Sequence, residues 1–185
     1  ALTHETFVYY LLNKPQGVIS ATEDARHKTV LDLLDDTARH KQVFPVGRLD
    51  IDTSGLLLLT NDGELANRLT HPSYEIPKTY VARVHGEVKP GVRRRLMEGI
   101  ELEDGPIAVD SFRTMETYGD ITTVEIVVHE GRNRLVRRLM DEVGYPVREL
   151  VRTKFGPIRL DHLQPGTMRR VKGPQLAALY DVVGL

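Results

Sequence analysis

The sequence predicts an α+β fold: a mixed, mostly antiparallel sheet with flanking helices. Two observations carry the prediction. Strand-like and helix-like patterns alternate along the whole chain, and two strands are joined by a tight Gly119-Asp120 turn, which favours an antiparallel or mixed sheet over a doubly wound one. No fixed-period repeat, low-complexity tract or flexible linker interrupts residues 1–185, so any division into subdomains is expected to be a cleft within one fold.

Each element has a local reason. "FVYYLLNKP" (7–15) is rich in β-branched and aromatic residues and stops at Pro15, as an opening strand does. "TVLDLLDD" reads as a short amphipathic helix with Val30, Leu33 and Leu34 on one side. "GLLLLT" (55–60) is a continuous apolar run of strand length, expected to be buried on both faces. Asn61 with Glu64 three residues later resembles a capping box opening a helix through Leu69. "KTYVARVHG" (78–86) alternates as a half-buried strand, and "KPGVRRRLMEG" is a helix between Pro90 and Gly99. "IAVDSFRTMETYGDITTVEIVVHEG" is the hairpin, and a helix from about Arg132 to Val143 follows, stopped by Gly144 and Pro146. Strands around "VRELVRTKFGPIRL" and a helix near "PQLAALYDVV" complete the chain.

Composition narrows the class. With 41% hydrophobic and 28% charged residues the chain has enough apolar material for a sizeable core. No apolar run approaches the roughly 20 residues that span a bilayer, and no export leader is visible, so a cytoplasmic location is expected. The absence of cysteine excludes disulfides, thiolate zinc sites and a cysteine nucleophile. Net charge is −1, but residues 1–130 hold 14 Lys/Arg against 21 Asp/Glu, and residues 131–185 hold 11 against 5. A basic C-terminal third of this kind either faces a polyanion or neutralises the rest of the chain internally.

Two carboxylates, Asp50 and Asp52, stand one residue apart in "FPVGRLDIDTSGLLLLTNDGELANRL" (44–69). A calcium loop fits at Asp50, Asp52, Ser54 and Gly55 but fails at its last ligand position, which is Asn61, and Pro45 and Gly47 forbid the leading helix. A magnesium-dependent Asp-x-Asp phosphotransferase places its pair directly after a hydrophobic strand, whereas here the apolar run follows the pair. The third possibility gives the chemistry to Asp50 alone, with Arg48 on the same face of an extended stretch holding it ionised, against a plain Arg–Asp pair that ties down a loop.

"GRLDIDTSGLLLLTNDGELANRLTHP" resembles the signature of the RsuA-type ribosomal RNA pseudouridine synthases. The likeness extends in order through "LLNKPQGVIS", the Lys-x-Tyr element of "KTYVARVHG", the basic "EGRNRLVRRLMDEVG" and "LVRTKFGPIRLDHLQPGTMRRV", from about residue 7 to 172. It implies the pseudouridine synthase fold, with a central active-site cleft between two subdomains of one catalytic domain. It also implies isomerisation of a chosen uridine in ribosomal RNA or a pre-ribosomal particle, by a monomer without cofactor or metal. The motif wording looks closer to large-subunit enzymes. Members often carry a small S4-like RNA-binding domain ahead of the catalytic one. None is recognisable here, and because Ala1 is not a natural start the expectation is that it has been cut away. A rival of another class is a non-catalytic RNA-binding or ribosome-assembly module using the same basic surface.

The resemblance makes Asp50 the catalytic aspartate and Asp52 a loop residue or turn cap. It lays Tyr80 against the uracil face, pairs Arg137 with Asp50, and puts Arg48 at the cleft mouth. Lys78, Arg132, Arg134 and Arg138 join these as RNA-binding residues. At 100° per residue Leu135, Val136, Leu139, Met140 and Val143 share one arc, while Arg134, Arg137, Arg138, Asp141 and Glu142 take the other. Three arginines in five positions, with Arg132 just ahead, suit phosphate or carboxylate contacts.

Overall fold

The computed structural model describes residues 7–185; the first six residues, Ala1 among them, lie outside the described residues. In chain order the elements are β1 (Tyr9–Lys14), a 3₁₀ turn (Val30–Leu33), α1 (Asp36–His40), β2 (Phe44–Pro45), β3 (Ser54–Thr60), α2 (Gly63–Thr70) and β4 (Lys78–His85). Next come α3 (Gly91–Glu98), β5 (Ile100–Leu102), β6 (Gly105–Ile107), β7 (Ser111–Tyr118), β8 (Ile121–Val128) and α4 (Leu135–Glu142). The chain closes with β9 (Val147–Phe155), β10 (Ile158–Arg159), β11 (Met168–Arg170) and α5 (Pro174–Val182). Two compact units result, one from residues 7–76 and 153–185, the other from Pro77–Arg152.

The first unit is built on the antiparallel order β11–β1–β3, with β2 beside β3. Leu56 to Leu59 and all six residues of β1 are buried, so the apolar run forms a strand covered on both faces, as its continuity predicts. "TVLDLLDD" does not form one helix. Asp35 turns its carboxylate onto the Ala38 N–H at 2.8 Å and starts α1 afresh after the 3₁₀ turn. The cap of α2 is also one residue later than expected. Asp62, not Asn61, accepts the Leu65 N–H at 3.1 Å, because the Asn61 amide is occupied by the Val8 N–H and the Lys41 carbonyl. The second oxygen of Asp62 accepts the Tyr9 hydroxyl at 2.7 Å, and Tyr180 of α5 hydrogen-bonds both Tyr9 and Asp62. Burial together with these bonds raises the Tyr9 pKa.

The second unit carries the order β9–β4–β8–β7. Ala82, Val84, Val124, Ile126 and Val128 point to one face and pack with Val92 and Leu96 of α3 and Leu135, Val136, Leu139 and Met140 of α4. β7 and β8 form the expected hairpin around Gly119-Asp120, with a register shift between Thr114 and Glu116. The hairpin is shorter than predicted, because Ile107 belongs to β6 and pairs with Ile100 of β5. Three-residue strands are too short to show a period. The helix expected from Arg132 begins at Leu135, because Arg134 sits in the left-handed region at φ 52° and ψ 34°. Its apolar arc is as predicted: Leu135, Val136, Leu139, Met140 and Val143 are all buried.

Asp62→Ala removes a helix cap and the acceptor of a buried hydroxyl together, so it should cost about 2–3 kcal/mol in urea unfolding. Asp62→Asn keeps an Oδ1 for the cap and should lose less. An alanine variant as stable as the native chain would remove Asp62 from this role.

Candidate active site

Asp50 stands in the segment between β2 and β3. Gly47 takes φ 76°, a conformation side chains resist, and turns the chain out of β2. Exposure then alternates, with Arg48 exposed, Leu49 buried and Asp50 half-buried, so Arg48 and Asp50 lie on the side away from Leu49. The Thr53 N–H returns to the Asp50 carbonyl at 3.0 Å, closing a four-residue turn with Ile51 and Asp52 at its tip. Asp50 therefore opens the turn and Asp52 belongs to its apex, which fits the expectation of a turn residue at Asp52.

This segment is held by the one that follows β1. Gly17, at φ 86°, donates its N–H to the Ile51 carbonyl at 2.8 Å, and Gln16 Nε2 donates to the Asp52 carbonyl at 3.0 Å. Ser20 Oγ accepts the Leu49 N–H at 3.1 Å and donates to the Leu49 carbonyl at 3.0 Å. Beneath them Lys14 is 0% exposed, with Nζ donating to the carbonyls of Pro15 (3.0 Å) and Val18 (2.7 Å). Burial pushes the Lys14 pKa down to about 8, and the charges of Asp52, and after it Asp50, act in the opposite direction. Asp52 is thus more than a passive turn residue, since its carboxylate supports a buried ammonium. Neither Lys14 nor Ser20 stood out in the sequence. A lysine at a strand end reads as solvated, and a serine in a loop carries no period.

In the second unit Lys78 and Tyr80 share the β4 face that carries Ala82 and Val84, and Tyr80 packs against the apolar core. Burial pushes the Lys78 pKa down to about 8, the nearby Arg152 adds to the fall, and Glu130 opposes it. Arg152, buried on β9, is a further cation that the sequence reading included only within a motif.

Two of the four arginines around α4 are tied to acceptors in the β5–β6 turn. Arg132 makes five hydrogen bonds, one for each N–H it carries: to Glu130 (2.5 and 3.1 Å), Asp104 (3.3 Å) and the carbonyls of Gly105 (3.0 Å) and Pro106 (2.6 Å). Arg138 forks onto both oxygens of Asp104 at 2.9 and 3.0 Å and holds the Asn133 carbonyl. Hydrogen bonding and charge from Arg138 hold the Asp104 carboxyl below its usual range. Both guanidinium groups thus brace the β5–β6 turn to the approach of α4. Of the other two, Arg134 is exposed and Arg137 half-buried.

Among the described residues no group of three or more His, Asp or Glu side chains is placed to hold a metal ion. Among the described residues, too, no helix is long and apolar enough to cross a membrane.

Residues 8–142 match the family of RNA pseudouridylate synthases. An uncharacterised RNA pseudouridine synthase of Mycobacterium tuberculosis is 49% identical over 183 residues, covering 98% of this chain and 72% of its own length. A ribosomal large subunit pseudouridine synthase B of Bacillus subtilis is 44% identical over 167 residues, covering 89% of this chain and 68% of its own. A crystal structure of a pseudouridylate synthase superposes with a TM-score of 0.82 at 31% identity, covering 96% of this chain and 74% of that one. An archaeal box H/ACA Nop10–Cbf5 complex shares the fold at a TM-score of 0.62 and 23% identity.

Buried Lys14 makes stability depend on pH in a defined direction. With its folded-state pKa lowered from 10.5 to about 8, Lys14 binds more protons unfolded than folded between those values, so its contribution to stability rises with pH across that window. Relative to Lys14→Met, the native chain should gain up to about 3 kcal/mol between pH 8 and 10.5 in urea unfolding, while Lys78 contributes equally to both. A difference independent of pH would show that Lys14 keeps its ordinary pKa.

Proposed function

Since this chain belongs to the RNA pseudouridylate synthase family, and so is an enzyme that isomerises uridine to pseudouridine in RNA, we propose that its target lies in large-subunit ribosomal RNA and that Asp50 carries the chemistry. The names of relatives from Bacillus subtilis and Pseudomonas aeruginosa, both ribosomal large subunit pseudouridine synthase B, support the choice of RNA. The observation that carries the choice of residue is the loop itself. Asp50 ends the Gly-Arg-Leu-Asp element, and it presents a half-buried carboxylate on backbone tied at Leu49, Asp50, Ile51 and Asp52.

In this reading the target uridine leaves its stack, at a cost of a few kcal/mol offset by phosphate contacts. The N1–C1′ bond then breaks, the ring turns, and C5 bonds to C1′ as the C5 proton is lost and N1 gains one. Asp50 attacks the sugar or the ring, or supports an eliminated intermediate; each route needs it ionised, and Arg137 and Arg48 supply the positive charge. Tyr80 offers a ring for the extruded base, and Lys78 and Arg134 add phosphate contacts. Arg132, whose five N–H groups are all bonded within its own unit, acts by bracing, and Arg138 adds to it through its fork on Asp104. The enzyme works in the cytoplasm as a monomer and needs no metal, so a chelator leaves its rate unchanged.

Asp50→Asn should abolish pseudouridine formation with RNA affinity within about threefold of the native chain; substantial turnover by that variant would refute the assignment. Arg137→Ala should lose at least about 100-fold in rate, and a near-normal rate would take it out of the site. Mapping pseudouridines in ribosomal RNA from cells with and without the gene should show the loss of one or a few positions in the large-subunit RNA. An unchanged large-subunit map would redirect the search to other RNAs.

A further inference from the structure

We infer that Ser20 is a positioning residue for the isomerisation, setting the direction of the Asp50 side chain through the Leu49 peptide; the inference rests on the assignment of Asp50 above. Ser20 is 4% exposed, and its hydroxyl serves as a one-residue strand partner for Leu49, taking its N–H and giving its own proton to its C=O. The peptide unit that enters Asp50 therefore has its carbonyl fixed by Ser20, and the unit that leaves Asp50 has its carbonyl fixed by the Thr53 N–H. With both flanking peptide planes held, the Cα–Cβ bond of Asp50 has one direction available.

Ser20 is itself anchored by its neighbour. The Ile19 N–H reaches the Lys28 carbonyl and the Val30 N–H reaches the Ile19 carbonyl, each at 3.0 Å, so the 20–28 loop is closed at its base. Gly17 and Gln16 hold only the far side of the turn, at Ile51 and Asp52. Without the Ser20 hydroxyl the Leu49–Asp50 peptide loses its side-chain clamp, and displacement of a reacting group by about 1 Å can cost 100-fold in rate.

Ser20→Ala tests this in single-turnover assays on ribosomal RNA isolated from cells lacking the gene. Its rate should fall about 10- to 100-fold while RNA affinity stays within threefold, and Ser20→Thr, which keeps the hydroxyl, should recover most of the rate. Thr122→Val is the matched control. Thr122 is a buried hydroxyl that likewise bridges a carbonyl and an N–H, at Gly86 and Val88 in the second unit, so its loss should lower Tm with the rate within twofold. If Ser20→Ala does not fold, Ser20→Cys, with weakened hydrogen bonds, carries the same readout. Amide exchange at Leu49 needs no RNA: it should be slow in the native chain and in Ser20→Thr and fast in the variants that lose the hydroxyl. A rate within twofold in folded Ser20→Ala, a loss confined to affinity, or equal Leu49 exchange in all variants would overturn the role. An active Asp50→Asn would instead overturn the assignment on which it rests, and an inactive Asp50→Asn beside a native-like Ser20→Ala would remove Ser20 alone.

Discussion

Antiparallel pairing of Tyr9–Lys14 with Ser54–Thr60 decides what can sit beside Asp50. In its register Lys14 lies opposite Gly55, so the chain leaving the first strand and the chain entering the third are at the same end of the pair. That juxtaposition lets Gln16, Gly17 and Ser20 supply hydrogen bonds to Leu49, Ile51 and Asp52, which no regular element satisfies. A slip of one residue would move one segment by roughly 3.3 Å along the other, beyond the tolerance of these bonds. Burial of both strands on both faces opposes such a slip. The buried ammonium of Lys14 holds the 15–18 turn from below, and Asp52 and Asp50 offset part of the cost of its charge.

The basic C-terminal third allowed two meanings, a surface for a polyanion or internal neutralisation. Around α4 the second accounts for two of the cations: Arg132 and Arg138 are absorbed by Glu130, Asp104 and nearby carbonyls. Elsewhere in the second unit Arg113 with Glu125 and Arg83 with Glu149 are exposed pairs of small energetic weight. A net charge therefore says little about which cations are available to a nucleic acid; the commitment of each guanidinium to acceptors within its own unit says more.

What could be read from the sequence follows the range of the interaction that decides each feature. The leucine run of β3, the alternation of β4, the glycine stops and the apolar arc of α4 are set by neighbours within a few residues, and all are legible. The misplaced starts share another cause. Asn61 and Asp62 are equally good caps locally, and the choice falls to Val8, 53 residues away. The late start of α4 depends on the left-handed turn at Arg134, which the sequence does not mark. The tie of Arg132 to Asp104 was not legible, because Asp104 is 28 residues distant in a hairpin too short to recognise. Asp50 stood out through its motif, whereas Ser20 and Lys14 acquire meaning only once the strand register is known.

The latch between Tyr9, Asp62 and Tyr180 bears on how the molecule is made. The first unit draws on both ends of the chain: its edge strand β11 and its helix α5 come from the last 18 residues, while the middle unit is continuous from Pro77 to Arg152. During synthesis the middle unit can fold as soon as it emerges. The strand pair beneath Asp50 must wait, with one edge uncovered and Asp62 lacking one of its two tyrosines, until translation has almost finished. A chain truncated near its end would thus keep every residue assigned to the chemistry and still lack the frame that holds Asp50 in place.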